Sequence, residues 1–326
     1  MLPKFTYARP TTLDTALRVL DDRPSSRIHG GGTDLIGCLR DGVLSADTVV
    51  SLSSVAELRG IRTAADGSFR IGALTSVADV AADSTVAERY SGLAEAAASV
   101  ASPQLRNQGT IAGNLCQKPR CWYYRGDFNC IRKGGELCYA YDGENQYHCI
   151  FGGELCYIVH PSDTAPILAA LGAVCRISGN GSSRSVPVAA FHVPPSEDPR
   201  RETVLEANEI VTEIVIPPPP AGMRSSYRKV RTRQVWDFAI AGVALAVVFD
   251  GDTVTSARVF LSGVAPVPWH AAGVEAAITG KTLDSATIAA AAEAAVEGAE
   301  PLSENAYKVA IVQGLVAEQL EAIAAG

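Results

Sequence analysis

The sequence lacks three features that would indicate particular classes of protein. No stretch of its 326 residues reaches about 18 consecutive apolar residues, so we expect no helix that spans a membrane. It has no excess of basic residues, and its formal net charge of −7 argues against nucleic acid as the main partner. Its first residues contain no charged segment followed by an apolar one, so no signal peptide is visible and a cytoplasmic location is the default expectation.

The cysteines also lack the close pairs of zinc-binding motifs, because no two of the eight have two residues between them. Six of them nevertheless crowd into residues 116–156, which we call the cysteine segment: Cys116, Cys121, Cys130, Cys138, Cys149 and Cys156. Basic residues and glycines alternate with them, and the segment has no long apolar periodicity with which to pack into a core. Such a segment needs a cross-link or a metal to hold one shape.

Four interpretations of the cysteine segment are open. Its cysteines act as small buried hydrophobes in one of them, although their neighbours are polar. Disulfides would suit a secreted chain, and zinc on a non-redox scaffold would need ligands at long, uneven spacings. Thiolates that converge on iron would hold the segment together and also make it an electron carrier. An iron–sulfur cluster is therefore the best chemical interpretation.

Two glycine-rich elements precede the cysteine segment. The first, Gly30-Gly31-Gly32-Thr33-Asp34-Leu35, joins a predicted strand to a predicted helix, where bare backbone N–H groups can surround phosphate oxygens. It matches neither the Rossmann fingerprint nor the Walker motif, and an ordinary strand–helix turn is the alternative. The second, residues 102–114, is rich in hydroxyl, amide and glycine groups, so it is either an exposed loop or a clamp on a polar ligand. Two such elements beside clustered cysteines favour a redox cofactor.

A domain boundary is predicted at 217–220, where four prolines favour an extended backbone and donate no hydrogen bonds. Before this run, short strands alternate with helices, and residues 106–114 are predicted to be rich in turns. After it, strands at 242–249 and 254–261 form a predicted hairpin around Asp250-Gly251-Asp252. Helices follow to the end of the chain.

Six motifs occur in order along nearly the whole chain. They are Gly30-Gly31-Gly32-Thr33-Asp34-Leu35, Arg106-Asn107-Gln108-Gly109-Thr110-Ile111-Ala112-Gly113-Asn114, His160-Pro161-Ser162-Asp163, Tyr227-Arg228-Lys229-Val230-Arg231, Trp236-Asp237-Phe238-Ala239-Ile240-Ala241-Gly242-Val243-Ala244 and Gly263-Val264-Ala265-Pro266-Val267-Pro268. Together they resemble the FAD-binding medium subunit of the xanthine dehydrogenase family of molybdenum hydroxylases. Most members of that family lack the cysteine insert. This chain is similar to the minority that carry a [4Fe–4S] cluster there, which are the periplasmic-type aldehyde oxidoreductases and 4-hydroxybenzoyl-CoA reductase. Residues 120–125 and the ending Cys156-x-x-x-His160 are closer to the aldehyde oxidoreductases.

The resemblance implies the fold of vanillyl-alcohol oxidase, also called the PCMH-type FAD-binding fold, in which two small α/β subdomains enclose an extended FAD. It implies FAD-binding subdomains at 1–55 and 56–217, the second with the cysteine insert at 116–156. An α+β C-terminal domain of the CO dehydrogenase flavoprotein type, an antiparallel sheet with helices, would occupy 222–326. The implied cofactors are FAD and a [4Fe–4S] cluster.

The resemblance also implies which residues bind these cofactors. Backbone N–H groups of the triple glycine would hold the pyrophosphate, and a cation such as Lys229 near the ring would favour negative charge on the reduced flavin. The implied FAD-binding residues are Ile28, His29, Gly30, Gly31, Gly32, Thr33, Asp34, Leu35, Ser102, Arg106, Asn107, Gly109, Thr110, Gly113, Asn114, Ser162, Asp163, Lys229 and Asp237. The implied cluster ligands are Cys121, Cys130, Cys138 and Cys156. Cys116 and Cys149 fall where related chains have other residues, and Cys149 is the alternative to Cys156 as fourth ligand.

The implied function is that of an electron-transfer subunit with no catalytic residue for substrate hydroxylation. A large partner would carry the molybdenum cofactor and a small partner two [2Fe–2S] clusters, in a heterotrimer or a dimer of heterotrimers. Electrons would pass through those clusters to FAD and then to an external acceptor, with an aldehyde as the substrate of the complex. A twin-arginine signal on a partner would export the folded complex to the periplasm. The alternatives are the beta subunit of a 4-hydroxybenzoyl-CoA reductase-like enzyme and a self-contained flavin oxidase.

Overall fold

The computed structural model describes residues 2–179 and 181–325, which form an α+β fold. The strands are β1 (Thr6–Ala8), β2 (Ser26–His29), β3 (Thr48–Ser51), β4 (Ile61–Thr63), β5 (Phe69–Gly72), β6 (Val174–Gly179), β7 (Ser182–Pro187), β8 (Glu209–Ile216), β9 (Met223–Val230), β10 (Ala241–Asp250), β11 (Thr253–Ser262) and β12 (Trp269–His270). The α-helices are α1 (Leu13–Asp22), α2 (Leu35–Arg40), α3 (Val77–Ala82), α4 (Ser84–Arg89), α5 (Ser91–Ser99), α6 (Pro103–Gln108), α7 (Ile111–Leu115), α8 (Trp122–Arg125), α9 (Thr164–Ala170), α10 (Ala272–Ile278), α11 (Ser285–Ala294) and α12 (Tyr307–Ala325). Short 3-10 turns lie at Ala56–Leu58, Ile131–Lys133 and Val188–Ala190.

The first sheet consists of parallel strands in the order β1-β3-β2. Helix α1 starts after Thr12, whose hydroxyl accepts a hydrogen bond from the Thr15 amide at 3.2 Å. The apolar face of this helix buries Leu20 in one cluster with Val50 of the central strand. Strand β2 ends at His29, so the triple glycine leaves the sheet at the carboxyl end of a strand. This is the edge at which open α/β sheets bind ligands.

The second sheet has the order β4-β5-β8-β6-β7, and each neighbouring pair in it is antiparallel. Phe69 and Ile214 of this sheet share one buried core with Leu93 of α5 and Ile167 of α9. Helix α9 is buried along its whole length, and the Ser162 hydroxyl caps it by accepting a hydrogen bond from the Ala165 amide at 3.0 Å. The core therefore fixes the start of α9, where the His160-Pro161-Ser162-Asp163 motif lies.

The third sheet is antiparallel, has the order β12-β11-β10-β9, and is buried on both faces. Successive side chains of a strand point to opposite faces. Along β10, Val243, Leu245 and Val247 belong to the core shared with α10, α11 and α12, whereas Ala244 belongs to the core of the second sheet. The third sheet therefore lies between the C-terminal helices and helices α5 and α9.

Two local predictions have clear outcomes. The hairpin at Asp250-Gly251-Asp252 is confirmed, since it joins β10 to β11 and Gly251 has a φ of +58°. The prediction that residues 106–114 are mostly turns was wrong, because this stretch contains the end of α6 and nearly all of α7. Ser102 and Thr110 cap these two short helices by accepting hydrogen bonds from amides three residues later.

The cysteine segment has little regular secondary structure, as predicted for an extended loop. It contains only α8 and one 3-10 turn as helical structure, and its other residues lie in turns, bends and irregular backbone.

The proline run continues from β8, and the Pro217 carbonyl accepts a hydrogen bond from the Tyr90 hydroxyl at 2.9 Å. Among residues 2–179 and 181–325, none of the helices combines the length with the apolar character that a membrane span requires. The domain limits at 55 and 217 stay predictions.

Candidate cofactor-binding site

The triple glycine lies directly against the second glycine-rich element. A Cβ atom on Gly31 would be 1.7 Å from the carbonyl oxygen of Gln108, and one on Gly30 would be 3.0 Å from Thr110 Oγ1. Gly32 has a φ of +75°, a left-handed conformation that favours glycine. Residues without side chains are therefore required where the two elements meet.

The second glycine-rich element is held in place by its own polar groups. The Arg106 guanidinium donates a hydrogen bond to the Val100 carbonyl at 2.7 Å, which closes the turn before α6. The buried Asn114 side chain accepts hydrogen bonds from the hydroxyls of Ser162 at 2.6 Å and Thr164 at 2.7 Å. Helix α7 is thus tied to the start of α9, and the cleft between them has a fixed shape.

Two adjoining clefts of about 200 Å3 and 190 Å3 run along these elements. Their shared wall consists of Thr33, Asp34, Thr110, Gly113 and Gln117. One cleft continues past the triple glycine towards Arg27 and Lys118, and the other continues past Asp163 towards the loop that contains Trp236. The combined cleft is elongated, and its walls join glycine backbone and small polar groups to apolar side chains, so it suits an extended dinucleotide rather than a compact ligand.

Most of the predicted FAD-binding residues line this combined cleft. They are Ile28, Gly30, Gly31, Gly32, Thr33, Asp34, Leu35, Gly109, Thr110, Gly113, Asn114, Asp163 and Asp237. The others lie outside its walls: His29, Ser102, Arg106, Asn107, Ser162 and Lys229. Ser102 and Ser162 cap helices, Asn107 is exposed, and the His29 ring packs beside Gly32. The roles assigned to these residues stay predictions.

Lys229 does not line the cleft, but it binds two residues that do, Asp163 and the Asp237 carbonyl at 3.1 Å. Its ammonium group donates to Asp163 Oδ2 at 2.7 Å, and the Tyr227 hydroxyl donates to Asp163 Oδ1 at 2.8 Å. The side chains of Lys229 and Asp163 are only 2% and 6% exposed. Burial raises the pKa of the Asp163 carboxyl, although Lys229 and Tyr227 act in the opposite direction. Because Tyr227 and Lys229 belong to β9, the third sheet positions the acidic end of the cleft.

Sequence reasoning missed nine residues that line the first cleft: Val77, Val100, Ala101, Leu105, Gln117, Arg120, Pro161, Trp236 and Phe238. Ala101 and Trp236 are the non-glycine residues with positive φ in the described ranges, at +42° and +57°. The Trp236 amide donates to the Ala101 carbonyl at 2.9 Å, so the two strained residues meet across one end of the cleft. Trp236 stands in a recognised motif, but nothing in its local sequence indicates this contact.

Asp34 connects the cleft to the cysteine segment. Its carboxylate accepts hydrogen bonds from Arg120 at 2.7 Å, Arg125 at 2.8 Å and the Lys118 amide at 2.7 Å. Burial alone would raise the pKa of Asp34, but these three donors outweigh it and the pKa lies below its ordinary value. Asp34 therefore lines the predicted FAD cleft while its charge is used to hold the cysteine segment.

The four predicted cluster ligands, Cys121, Cys130, Cys138 and Cys156, line one small pocket. All eight cysteines are free thiols, so the disulfide interpretation has no support. Cys149 does not line this pocket and Cys116 lines the second cleft instead. Within 2–179 and 181–325, no three His, Cys, Asp or Glu side chains are grouped closely enough to hold one metal ion. That finding disfavours zinc, whose ligands converge on a single point, more than a cluster, whose ligands bind different iron atoms.

Buried polar nitrogen atoms surround this pocket. Arg132 and His148 line it, and His148 Nε2 lies 3.2 Å from Cys121 Sγ. Arg132 Nε, His148 Nδ1 and the neighbouring Trp122 Nε1 are buried without a hydrogen-bond partner among the described residues. Such atoms are rare in folded proteins. Thiolates and sulfides would supply acceptors for them, so these residues fit an iron–sulfur cluster.

A third cavity of about 380 Å3 separates the cleft from the cysteine pocket. It shares Arg120, Asp237 and Phe238 with the cleft, and it shares Cys121 and His148 with the cysteine pocket. The two predicted cofactor sites are therefore neighbours within one structure.

The chain matches two protein families over nearly its whole length. Residues 3–219 match the FAD binding domain in molybdopterin dehydrogenase, and residues 225–323 match the CO dehydrogenase flavoprotein C-terminal domain. The chain is 33% identical to the aldehyde oxidoreductase FAD-binding subunit PaoB of Escherichia coli strain K12, over 97% of both chains. It is 29% identical to the carbon monoxide dehydrogenase medium chain of Hydrogenophaga pseudoflava, over 98% of this chain and 97% of that one.

Solved structures agree with these matches. The fold is similar to that of carbon monoxide dehydrogenase from Hydrogenophaga pseudoflava, with a TM-score of 0.79, 28% identity, and coverage of 100% of this chain and 99% of the other. Quinoline 2-oxidoreductase from Pseudomonas putida 86 has the same TM-score of 0.79 at 25% identity, with the same coverage of 100% and 99%. The chain belongs to the family of FAD-binding subunits of molybdopterin dehydrogenases. The predicted PCMH-type fold with an α+β C-terminal domain is confirmed, whereas the [4Fe–4S] cluster stays a prediction.

Proposed function

We propose that this chain is the FAD- and [4Fe–4S]-containing electron-transfer subunit of a heterotrimeric molybdenum hydroxylase that oxidises aldehydes. In this proposal a large subunit carries the molybdenum cofactor and a small subunit carries two [2Fe–2S] clusters. FAD supplies a carrier that accepts electrons from the partner subunits and passes them to an external acceptor. The residues of this chain bind and orient the two cofactors, and none of them acts on the aldehyde.

The elongated cleft supports the FAD part of the proposal. Gly30, Gly31 and Gly32 leave their backbone N–H groups bare for the pyrophosphate. Glycine is also required at position 31, because any side chain there would overlap Gln108. Asp163, held by Lys229 and Tyr227, would accept hydrogen bonds from polar groups of the cofactor at the other end. The family match over residues 3–219 supports the same cofactor.

The single observation that carries the cluster is the convergence of four cysteines that lie up to 35 residues apart, from Cys121 to Cys156, on one pocket. The pocket excludes Cys149, and the buried donors Arg132 Nε and Trp122 Nε1 at or beside it have no acceptor in the described structure. These features favour Cys156 over Cys149 as the fourth ligand.

The comparison with relatives supports an aldehyde as the substrate of the complex and the presence of partner subunits. The similar chain from Escherichia coli strain K12 is an FAD-binding subunit of an aldehyde oxidoreductase, and the similar chain from Hydrogenophaga pseudoflava is a medium chain. Both names describe one subunit of a larger enzyme, and this chain covers 97% of each of them. A self-contained oxidase is less consistent with that pattern.

Cofactor analysis of the complex purified without oxygen tests the proposal. We expect FAD at one per chain, and iron and acid-labile sulfide in excess of the two [2Fe–2S] clusters. Cys130→Ser and Cys156→Ser should lose the extra iron while FAD is retained. Cys149→Ser is the matched control, because it removes a buried thiol from the same segment and should leave the iron unchanged.

Different results would contradict different parts of the proposed function. A wild-type complex without the extra iron would rule out the cluster. Retained iron in Cys156→Ser together with lost iron in Cys149→Ser would make Cys149 the fourth ligand. Substrate turnover by this chain alone, without its partners, would favour the flavin oxidase.

A further inference from the structure

One charged side chain stands against the cysteine pocket in an unusual setting. Arg132 follows Cys130 by two residues, lines the pocket with the four cysteines, and has a side chain that is only 1% exposed. Its Nη1 donates to Glu202 Oε1 at 2.7 Å and to the Arg201 carbonyl at 3.2 Å. Its Nε is buried and has no hydrogen-bond partner among the described residues. Glu202 and the Arg201 carbonyl therefore anchor one edge of the guanidinium, while its Nε is left without an acceptor.

The charge of Arg132 is not fully neutralised by its partner. Glu202, whose side chain is 8% exposed, also binds the Lys118 ammonium group in a close contact. Two cations thus share one carboxylate, and the group of three carries one unit of excess positive charge beside the cysteines.

Charge at this position has a direct consequence for a redox group. Addition of one electron to a thiolate-bound cluster increases its negative charge, so a nearby cation stabilises the reduced form more than the oxidised form. Buried charges are screened by solvent and salt much less than exposed ones. A buried cation at the pocket should therefore raise the reduction potential.

We propose that Arg132 is a positioning residue that raises the reduction potential of the cluster held by Cys121, Cys130, Cys138 and Cys156. This inference rests on the proposed presence of a [4Fe–4S] cluster. Glu202 orients Arg132 through their ion pair. Its negative charge also offsets part of the charge of Arg132, and this lowers the reduction potential. The balance between these two side chains sets how readily the cluster accepts an electron from its neighbours.

The test is a redox titration of the intact complex, followed by the electron paramagnetic resonance signal of the reduced cluster. Arg132→Gln removes the charge at similar length and should lower the equilibrium constant for reduction about tenfold, which is about 59 mV for one electron. Glu202→Gln should shift the potential upwards. Lys133→Gln is the matched control, since it removes the same charge from the next residue, whose amine binds the Gly126 carbonyl at the surface.

The outcomes separate this inference from the proposed function. An unshifted potential in Arg132→Gln with full iron content would overturn the inference alone, and so would an equal shift in Lys133→Gln. A wild-type complex without cluster iron would overturn the proposed function and this inference with it. If Arg132→Gln does not retain iron, Arg132→Lys and Glu202→Gln decide the matter. Arg132→Lys should keep the equilibrium constant for reduction within a few-fold of the wild-type value. Glu202→Gln must raise the reduction potential.

Discussion

Replacement of Gly31 by alanine tests whether the contact between the two glycine-rich elements shapes the cleft. The new Cβ would lie 1.7 Å from the Gln108 carbonyl oxygen, 2.6 Å from its carbonyl carbon and 3.1 Å from Gly109 Cα. An ordinary contact begins at 3.4 Å, so the two backbones must separate by about 1.7 Å, the difference between 3.4 Å and the present distance. No flexible side chain is available to absorb this movement, because all three atoms belong to the backbone.

Overpacking of a well-packed site costs about 1–3 kcal/mol, and the upper end applies where only backbone can move. We therefore expect the Gly31→Ala variant to lose about 3 kcal/mol of the free energy of unfolding. It should also lose FAD, because the separation opens the shared wall of the cleft. Urea unfolding measures the first effect, and the flavin content after desalting measures the second.

Gly37→Ala is the matched control for this prediction. Gly37 lies in α2, six residues later, and a Cβ there would meet no atom within 4 Å. Alanine in a helix is more favourable than glycine by about 1 kcal/mol, so this variant should be slightly more stable and should keep FAD. A Gly31→Ala protein with wild-type unfolding and full FAD would refute the reasoning. Lost stability with full FAD would confirm the contact but show that FAD does not depend on this wall.

Two further predictions concern buried polar groups. Lys229→Met should leave the Asp163 carboxylate buried without its cation and lower the free energy of unfolding by about 3–5 kcal/mol, as measured by urea. The double variant with Asp163→Asn should recover much of this loss, and an additive loss would contradict the ion pair. For His192, burial lowers the pKa from 6.5 to about 4, although the Leu115 carbonyl acts in the opposite direction. The unfolded chain then binds a proton below pH 6.5 that the folded chain binds only near pH 4, so stability falls as the pH decreases through this range. His192→Gln should reduce that loss by up to about 3 kcal/mol, and an unchanged pH dependence of urea unfolding would contradict it.

Local patterns predicted the hairpin of the third sheet because its causes are local. The continuous apolar run along 242–249 and the Asp250-Gly251-Asp252 turn indicate a hairpin whatever else the chain contains. The short helices α6 and α7 were missed because their stability comes from the caps Ser102 and Thr110 and from packing, rather than from helix-forming composition.

The site was predictable only as a set of candidate residues. Motifs identified the triple glycine and the four cysteines, and both sets line cavities of the folded chain. The ion pairs of Asp34 and Lys229 could not be predicted, because each is formed with a partner far away in sequence. Asp34 binds Arg125 across 91 residues, and Lys229 binds Asp163 across 66.

The sequence by itself determined the family, the α+β fold and which groups are available to hold cofactors, since these depend on residue type and order. Only the tertiary structure decided that Cys156 rather than Cys149 lines one pocket with Cys121, Cys130 and Cys138, and that Arg132 lines the same pocket with its charge partly balanced by Glu202. The physical reason is that the irregular backbone of the cysteine segment has no period of its own. Its side chains are directed by contacts with distant parts of the chain, and those contacts exist only once the sheets and helices have packed together.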